Sequence, residues 1–215
     1  MKKSESCSTA IGDYQKEQMD ALRLIRAHLA ARGASEAFRL RELTAAYLSF
    51  RKETDSFLST HFSQICSRSC YESRLSACCS KEGIITFFAD VVINALFSEE
   101  ELLHRLQERL TLPNTGFKCI YLDKDGCLWK IKPVVCQMFL CDKAEESVFQ
   151  ENPAAAETWE RYKQRRKDFT WPDRPVLFDR IETLFIEAGY SSPLMYLHNS
   201  PGLLMVKRRA GLAVP

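Results

Sequence analysis

Apolar residues recur at helical spacing through the first third of the chain. They form one stripe at intervals of three and four in residues 14–31, and residues 36–61 repeat the pattern. The positions are Met19, Leu22, Ile25 and Leu29, then Leu40, Leu43, Tyr47, Phe50, Thr54 and Phe57. Gly33 suits the position after a helix end and Ser35 suits a helix start. The pattern predicts an N-terminal helical hairpin over residues 1–61, with the alternating second stripe as its seam.

The composition of the chain changes after this hairpin. Residues 65–83 are polar, irregular and rich in cysteine, and a short extended piece is predicted at 83–88. A buried helix is predicted around residues 91–96. Ser98 is predicted to start a further helix, because Glu101 stands three residues later and completes a capping box.

A small β-hairpin is predicted in the middle of the chain. The β-prone segments CIYL and CLWK lie on either side of Asp-Lys-Asp-Gly at 123–126, and a short helix is predicted to start near Pro133. The same Asp-x-Asp-Gly also resembles the start of a calcium loop. A full EF-hand loop needs further ligands where Trp129 and Lys130 stand, so the hairpin turn is the favoured interpretation.

The last third of the chain is predicted to be helical again. Asn152 is predicted to cap a helix that has Pro153 at its first position. A second helix is predicted from a cap at Asp173 to Gly189. Residues 200–215 are predicted to form a loosely held tail.

These elements predict a fold that is mainly α with a small β-hairpin, its helices packed around a cysteine-rich metal-binding centre. No internal repeat, low-complexity segment or linker divides the chain, so a single domain over 1–215 is expected. Its parts are the helical hairpin 1–61, the cysteine-cluster metal-binding core 62–142, and the C-terminal helices and tail 143–215.

Composition and charge point to no special partner. The chain has 215 residues and a net charge of +2, with 46% hydrophobic and 27% charged residues, which are ordinary values for a globular protein. The basic runs at 161–167 and 207–209 are interpreted as a solvated helix face and a tail. No nucleic-acid partner is therefore expected.

The sequence also predicts a cytoplasmic protein without a membrane partner. The most apolar run, 83–97, is too short to span a bilayer and contains Asp90 and Asn94. The N-terminus has two lysines but lacks the apolar region of a signal peptide. Cytoplasmic thiols are kept reduced, which argues against a disulfide framework for the nine cysteines.

Motifs of the common enzyme classes are missing. With only eight glycines, the chain has neither G-x-G-x-x-G nor G-x-x-x-x-G-K-[ST], and it also lacks H-E-x-x-H and G-x-S-x-G. No methyl-donor site is recognised. The sequence therefore gives no support for an enzyme, and no catalytic residue is assigned.

Eight of the nine cysteines fall into two groups, while Cys7 stands apart. The first group is Cys66, Cys70, Cys78 and Cys79, and the second is Cys119, Cys127, Cys136 and Cys141. Thiolates bind zinc, copper(I) and iron–sulfur centres, and a closed all-thiolate site usually has four of them. Burial as small hydrophobes fits poorly because polar residues separate the cysteines. Metal binding is the favoured interpretation.

The adjacent pair Cys78 and Cys79 constrains the kind of centre. Neighbouring side chains normally diverge, so two adjacent ligands reach a single small ion only with a special backbone. The pair favours a multinuclear centre or two neighbouring sites over one simple finger. His61, five residues before Cys66, is either a spare ligand or a helix-end residue, and the second interpretation is favoured.

The cysteine order C-x3-C-x7-CC followed by C-x7-C-x8-C-x4-C, with its Asp-Gly-Cys and Pro-x-x-Cys elements, resembles the YkgJ-like cysteine-cluster family over about residues 62–142. That family is described as a zinc- or iron-chelating domain. The resemblance implies eight metal ligands: Cys66, Cys70, Cys78, Cys79, Cys119, Cys127, Cys136 and Cys141. The family usually has Arg-Pro-x-x-Cys-Arg, whereas this chain has Lys132 and Gln137, which cannot form the bidentate fork of arginine.

The function that this resemblance implies is metal chelation in the cytoplasm. The cofactor would be zinc or iron, including an iron–sulfur cluster, and the role structural or regulatory. The alternative is an iron–sulfur redox protein or a protein-modifying enzyme related to flagellin lysine methylases, which carry a similar cluster. A zinc-stabilised interaction or nucleic-acid module is a third possibility. The sequence names no protein partner.

Overall fold

The first helix is the longest element of the fold. A computed structural model describes residues 11–214, so Cys7 lies outside the described residues. Helix α1 covers Asp13–Phe62 and is broken at Gly33, whose φ of 71° and ψ of −163° are not helical. The break predicted between the two apolar stripes is therefore at the predicted glycine.

Both arms of α1 pack against the second helix, α2, which covers Phe88–Phe97. In the first arm, Gln18 Nε2 donates to Thr86 Oγ1 at 2.8 Å, just before α2 begins. In the second arm, Arg41 Nη2 donates to the carbonyl of Leu96 at 2.9 Å, near the end of α2. Contact with both arms explains why a helix with the sequence FADVVINALF is buried at almost every position.

Helix α3 covers Glu100–Thr111 and begins later than the predicted capping box. Ser98 instead belongs to the end of α2, where its N–H donates to the carbonyl of Asn94 at 2.9 Å. Its hydroxyl lies 3.3 Å from Asn94 Oδ1. The prediction failed because the buried Asn94 engages Ser98 from the preceding helix. The predicted apolar face of α3 is buried at Leu103, Leu106 and Leu110.

Two further features between α1 and α2 differ from the sequence prediction. A π-helix, Ser63–Glu72, continues directly from α1 where irregular structure was expected. No strand forms at 83–88; an isolated bridge pairs Ser80 with Lys118 instead. The backbone partners of this region come from a distant part of the chain, which local pattern does not reveal.

The predicted β-hairpin is confirmed. Strand β1, Leu122–Asp123, pairs antiparallel with β2, Gly126–Cys127, across a two-residue turn. Helix α4, Val134–Gln137, follows Pro133 as predicted, and α5 covers Asp142–Phe149. The fold is mainly α with one small hairpin. Within residues 11–214, no helix combines the length and apolarity that crossing a bilayer requires.

Aromatic pairs join the second arm of α1 to the C-terminal helices α6, Pro153–Thr170, and α7, Leu177–Glu187. The rings of Phe57 and Trp159 are stacked with centroids 5.6 Å apart, and those of Phe50 and Phe169 are stacked at 5.4 Å. The predicted start of α6 is confirmed, because the Asn152 side chain accepts from the N–H of Ala155 at 3.1 Å. These contacts fix the core beside which the cysteine segments lie.

Helix α7 does not begin at the predicted cap, Asp173. It begins at Leu177, because the residue before Pro175 is disfavoured in helical conformation. Asp179 caps the helix from within, since its carboxylate accepts from the N–H of Val176 at 3.2 Å. Asp173 and Asp179 are both acceptable caps by residue type, and only the position of Pro175 indicates which of them is used.

The prediction of a loosely held tail at 200–215 is wrong. Residues Pro201–Arg209 form α8, which Ser200 caps by accepting from the N–H of Leu203 at 3.1 Å. Lys207 is fully buried and its Nζ lies 2.8 Å from Oε2 of the equally buried Glu182 in α7. A buried ion pair therefore anchors the segment that the basic run had suggested was solvated.

The Lys207 ammonium is held by more than this carboxylate. It donates to the carbonyl of His198 at 2.6 Å and to Oδ1 of Asn199 at 2.9 Å. The His198 ring in turn bridges two helices, with Nδ1 2.7 Å from Asp179 Oδ1 and Nε2 2.7 Å from the carbonyl of Thr170. This buried network ties α6, α7 and α8 together.

Gly33→Ala is expected to lower the free energy of unfolding by about 1–3 kcal/mol, because the Gly33 backbone occupies a region essentially restricted to glycine. No atom lies within 4 Å of an added Cβ, so the loss would report backbone strain and not a clash. Denaturant unfolding measures it. Gly202→Ala is the matched control, since its φ is outside the left-handed range and its helical site favours alanine. Equal losses at both positions would contradict the prediction.

Candidate metal centre

The first pair of cysteines lies on a helix that contributes nothing to the core. Cys66 and Cys70 lie four residues apart on the π-helix, and none of its ten residues is buried. Between residues 63 and 87, only Ser76 and Thr86 are buried. The hydrophobic effect therefore does little to hold this segment in place.

A tight loop returns the chain from Cys70 to the adjacent cysteines. The Cys70 carbonyl accepts from the N–H of Leu75 at 2.9 Å and of Ser76 at 3.0 Å. The Cys70 sulfur accepts from the N–H of Ala77 at 3.3 Å. The loop therefore places Cys70 beside the residue that precedes Cys78.

The backbone of this loop is unusual. Arg74 has a φ of 62° and Ser76 a φ of 38°, and these are the two described non-glycine residues with positive φ. Such conformations are uncommon for residues with a side chain and persist where the surroundings impose them. Both lie between Cys70 and Cys78, so the strain falls inside the cysteine-rich segment.

Backbone pairing joins the two cysteine groups. The Cys119 N–H donates to the carbonyl of Cys79 at 3.0 Å, and the Lys81 N–H donates to the carbonyl of Phe117 at 2.8 Å. The ammonium of Lys118 reaches back to the carbonyl of Ser76 at 3.2 Å. Cysteines that are 40 positions apart in the sequence, Cys79 and Cys119, are therefore neighbours in space.

The hairpin arranges Cys119 and Cys127 at its two ends. Cys127 is directly opposite Leu122, and the N–H of Leu122 donates to the Cys119 carbonyl at 3.1 Å. Burial raises the pKa of the Cys119 thiol to about 11 and also raises the pKa of Cys127. The backbone N–H of Tyr121 opposes the first shift and that of Trp129 the second. Each sulfur thus accepts from the backbone N–H two residues later in the chain, and this hydrogen bond favours the thiolate form.

Buried polar groups of α1 and α2 position the segment that leads to Cys136. The Asn94 side chain bonds both backbone groups of Ile131, accepting from its N–H at 3.1 Å and donating to its carbonyl. Asp90 Oδ1 accepts from the N–H of Val134 at 3.3 Å. Arg51 also holds this segment in place, because its guanidinium donates to the Lys132 carbonyl at 2.6 Å. The start of α4 is therefore fixed from two helices.

Gln137 connects the end of α4 to α1. Its amide donates to a carboxylate oxygen of Asp55 and to the carbonyl of Arg51 at 3.4 Å. The residue that stands where the resembled family has arginine is buried against α1. Its structural role is to hold α4, and with it Cys136, onto the helical hairpin.

Cys141 lies at the start of helix α5. Its carbonyl accepts from the N–H of Ala144 at 2.8 Å, so the residue caps the start of α5. The Phe149 ring at the other end of α5 packs against Phe62, with centroids 5.5 Å apart. Phe62 immediately precedes the π-helix, so α5 and the π-helix lie on the same part of α1.

Burial and neighbouring charged groups both raise the pKa of cysteines in this region. The pKa of Cys66 is raised to about 11, first by desolvation from the surrounding protein and then by negative charge on Cys78, Cys141 and Cys70. Burial raises the pKa of Cys136, and the carboxylate of Asp90 and thiolates at Cys127 and Cys78 add to the shift. Thiols from both sequence groups therefore influence one another.

Cys78 and Cys79 share a hydrogen bond between their side chains. Because Cys78 donates to Cys79, the bond raises the pKa of Cys78 and lowers that of Cys79. A turn at residues 77–78, which follows the positive φ of Ser76, leads into this pair. Because Cys79 accepts this bond, its thiolate form is stabilised, and Cys79 is the more readily ionised of the pair.

Lys132 supplies positive charge to the cluster. Its ammonium lowers the pKa of four thiols, although desolvation or thiol hydrogen bonding is the larger influence on each. The four are Cys66, Cys78, Cys79 and Cys127. Lysine in place of arginine gives up bidentate geometry but retains the charge.

The donor set fits a thiophilic metal in its chemistry. All eight described cysteines are free thiols, and Cys66, Cys78 and Cys136 are exposed. Among residues 11–214, however, no three His, Cys, Asp or Glu side chains are positioned to hold one metal ion together. Rotation about χ1 moves a cysteine sulfur while its backbone stays in place, and a centre here would require such rotation. His61 packs its ring against Phe57, with centroids 4.7 Å apart, as a residue at the helix end.

The sequence analysis missed the residues that position the site. Asp90 and Asn94 served only to exclude a membrane span, although they are its main buried supports. The available signal was two polar residues four positions apart in an otherwise apolar helix, which places both on one face. Arg51 carried no comparable signal, because an arginine in a long helix usually faces solvent.

Asn94→Leu is expected to lower the free energy of unfolding by about 1–3 kcal/mol, because the N–H and carbonyl of Ile131 lose their partner. Urea unfolding with a far-ultraviolet signal measures the change. Asn114→Leu is the matched control, since that side chain makes one exposed hydrogen bond, to the Lys118 carbonyl at 3.0 Å. If Asn94→Leu and Asn114→Leu lose the same stability, the hydrogen bonds between Asn94 and Ile131 have no energetic role.

Comparison of the chain with protein-family models, with curated proteins and with solved structures finds no match. The resemblance to the YkgJ-like cysteine-cluster family therefore stays a prediction that rests on the cysteine spacing.

Proposed function

We propose that this protein is a cytoplasmic metal-chelating protein whose eight clustered cysteines bind zinc or iron. The metal would have a structural or regulatory role. Bound zinc would cross-link chain segments, and an iron–sulfur cluster would add one-electron chemistry. No catalytic residue is part of the proposal.

The observation that carries the proposal is the contrast between order and burial in residues 63–87. This segment has a defined π-helix and a strained loop, yet only two of its side chains are buried. A segment without a hydrophobic core needs another source of stability, such as a disulfide or a metal. Reduced thiols in the cytoplasm leave metal–thiolate bonds as the source.

The surroundings of the thiols support the same proposal. Backbone N–H groups face the sulfurs of Cys70, Cys119 and Cys127, and the Lys132 ammonium lies close enough to favour their neighbours as thiolates. Only the thiolate is a metal ligand, so each of these groups stabilises the form that binds. The chain's own contribution is to gather the sulfurs and to compensate their charge.

An iron–sulfur redox protein, or a protein-modifying enzyme that uses such a cluster, is the second candidate. It is favoured by the exposure of Cys66, Cys78 and Cys136, because electron transfer needs a centre near the surface. N–H donors to cluster sulfurs are also among the groups that set the potential of such centres.

Metal analysis and a visible spectrum of anaerobically purified protein test the proposal. Stoichiometric zinc in colourless protein supports a structural or regulatory zinc centre. Iron with sulfide and a reducible brown chromophore supports the second candidate. Protein that is folded, with free thiols and no bound metal, would overturn both.

A further inference from the structure

A cavity lies where the second arm of α1 meets α7 and the first turns of α8. Its volume is about 540 Å³, which is in the range of pockets that hold small organic molecules. None of the described residues that line it is a cysteine. The cavity is therefore separate from the candidate metal centre, and the proposed function gives it no role.

Much of the cavity wall is apolar. Helix α8 contributes Leu203 and Val206, and α7 contributes Leu184. Leu43 of α1 and Pro175, which precedes α7, complete this apolar part. Leu203 is buried in the core, but the other four keep part of their surface in contact with solvent. An apolar group in the cavity would remove that surface from water, which favours binding.

Two arginines from different helices supply positive charge to the same cavity. Arg39 of α1 and Arg180 of α7 both line it and are exposed. Arg39 has one acidic neighbour, Glu36 at 3.6 Å, in a surface pair of the kind that contributes little to stability. Within residues 11–214, the Arg180 guanidinium forms no ion pair. The N-terminus of α8, at Gly202, adds partial positive charge to the cavity.

One acidic residue, Asp179, also lines the cavity. It is buried, and both of its carboxylate oxygens have partners within the protein. Oδ1 lies 2.7 Å from His198 Nδ1, and Oδ2 accepts from the N–H of Val176 at 3.2 Å. Neither Arg39 nor Arg180 forms an ion pair with it. The two guanidinium groups therefore keep their charge available to a ligand.

We propose that this cavity binds a small amphipathic carboxylate, which is a molecule with one carboxylate group and an apolar body. The carboxylate would pair with Arg180 and Arg39, because a guanidinium presents two parallel N–H donors that match the two carboxylate oxygens. The apolar body would pack against Leu184, Leu203 and Val206. The arginines select against neutral molecules, and the apolar wall selects against small, fully polar anions. Binding of this ligand is independent of the proposed metal centre.

Isothermal titration calorimetry of the full-length protein with octanoate tests the proposal, with octanamide as a neutral probe of similar shape. We expect one octanoate per chain, bound about tenfold more tightly than octanamide, because hydrogen bonds between charged groups are the stronger ones. Arg180→Gln is expected to weaken octanoate binding by about tenfold and to leave octanamide binding unchanged. Arg208→Gln is the matched control, since it removes the same charge from an exposed position of α8 outside the cavity. No octanoate binding, or equal affinity of the wild type for both probes, would overturn the proposal.

Nuclear Overhauser contacts between octanoate and the methyl groups of the wild-type protein locate the ligand without any variant. Contacts to the methyl groups of Leu184, Leu203 and Val206 are expected, and contacts confined to other residues would overturn the proposal. Titration of chelator-treated protein with an unchanged circular dichroism spectrum should give the same octanoate affinity. Loss of octanoate binding together with the metal would place the ligand at the cysteines and also overturn the proposal. Protein that binds octanoate but no metal would contradict the proposed function alone.

Discussion

On the proposal that the cysteines bind a metal, chelation of the purified protein is expected to loosen residues 63–87 while leaving the aromatic core folded. The segment has only Ser76 and Thr86 buried, whereas the rings of Phe57 and Trp159 are stacked in a core that holds no cysteine. Amide hydrogen exchange measures the difference residue by residue. Chelation should speed exchange in the π-helix and the following loop by at least about tenfold, since a tenfold change corresponds to only about 1.4 kcal/mol and metal–thiolate bonding contributes more.

Cysteine substitution extends this experiment to single ligands. Cys127→Ser in the metal-loaded protein should lower the metal content and speed exchange in the same segment. Cys7→Ser is the matched control, because Cys7 belongs to neither cysteine group. Exchange that is indifferent to chelator and to Cys127→Ser would mean that metal does not order this region. Loss of protection in α6 and α7 as well would show that the core depends on the centre.

Lys207→Met is expected to lower the free energy of unfolding by about 3–5 kcal/mol, because it leaves the buried carboxylate of Glu182 without its partner. The carbonyl of His198 also loses its donor. Denaturant unfolding measures the loss. Arg209→Met removes the same charge from an exposed position of α8 and should change stability by less than about 0.5 kcal/mol.

The double variant Glu182→Leu/Lys207→Met separates the ion pair from the packing of α8. Replacing a buried pair by apolar residues is often neutral, so most of the stability lost in Lys207→Met should return. Burial raises the pKa of Glu182 despite the opposing charge of Lys207, so the site disfavours a carboxylate without a partner. A double variant as unstable as Lys207→Met would indicate that the lysine acts through His198 and Asn199 instead.

Helical stripes and turn residues were sufficient to predict most of the fold. The break at Gly33, the cap at Asn152 and the hairpin at 123–126 all follow from local preferences that tertiary contacts left undisturbed. The start of α7 was predicted wrongly, because Asp173 and Asp179 are equivalent as local signals until Pro175 is considered. The burial of Lys207 could not be predicted from the local sequence pattern, since its partner Glu182 is 25 positions away.

The candidate site was only partly accessible to sequence. Spacing alone selected the eight cysteines, and the structure joins their two groups through backbone hydrogen bonds such as that from the Cys119 N–H to the Cys79 carbonyl. The sequence could not indicate that the backbone of Cys79 pairs with that of Cys119. A backbone hydrogen bond between distant segments produces no periodic pattern of residues. The supports at Asp90 and Asn94 were visible only as polar interruptions of an apolar helix.

The backbone bridge between Ser80 and Lys118 has a consequence for how the protein folds. Joining these residues closes a loop of about 40 residues, and such closure is entropically unfavourable until the intervening chain is ordered. The loop contains α2 and α3, whose packing on α1 brings its two ends together. We therefore expect the scaffold to form first, and metal uptake to be a late step whose rate follows the folding of helices that carry no cysteine.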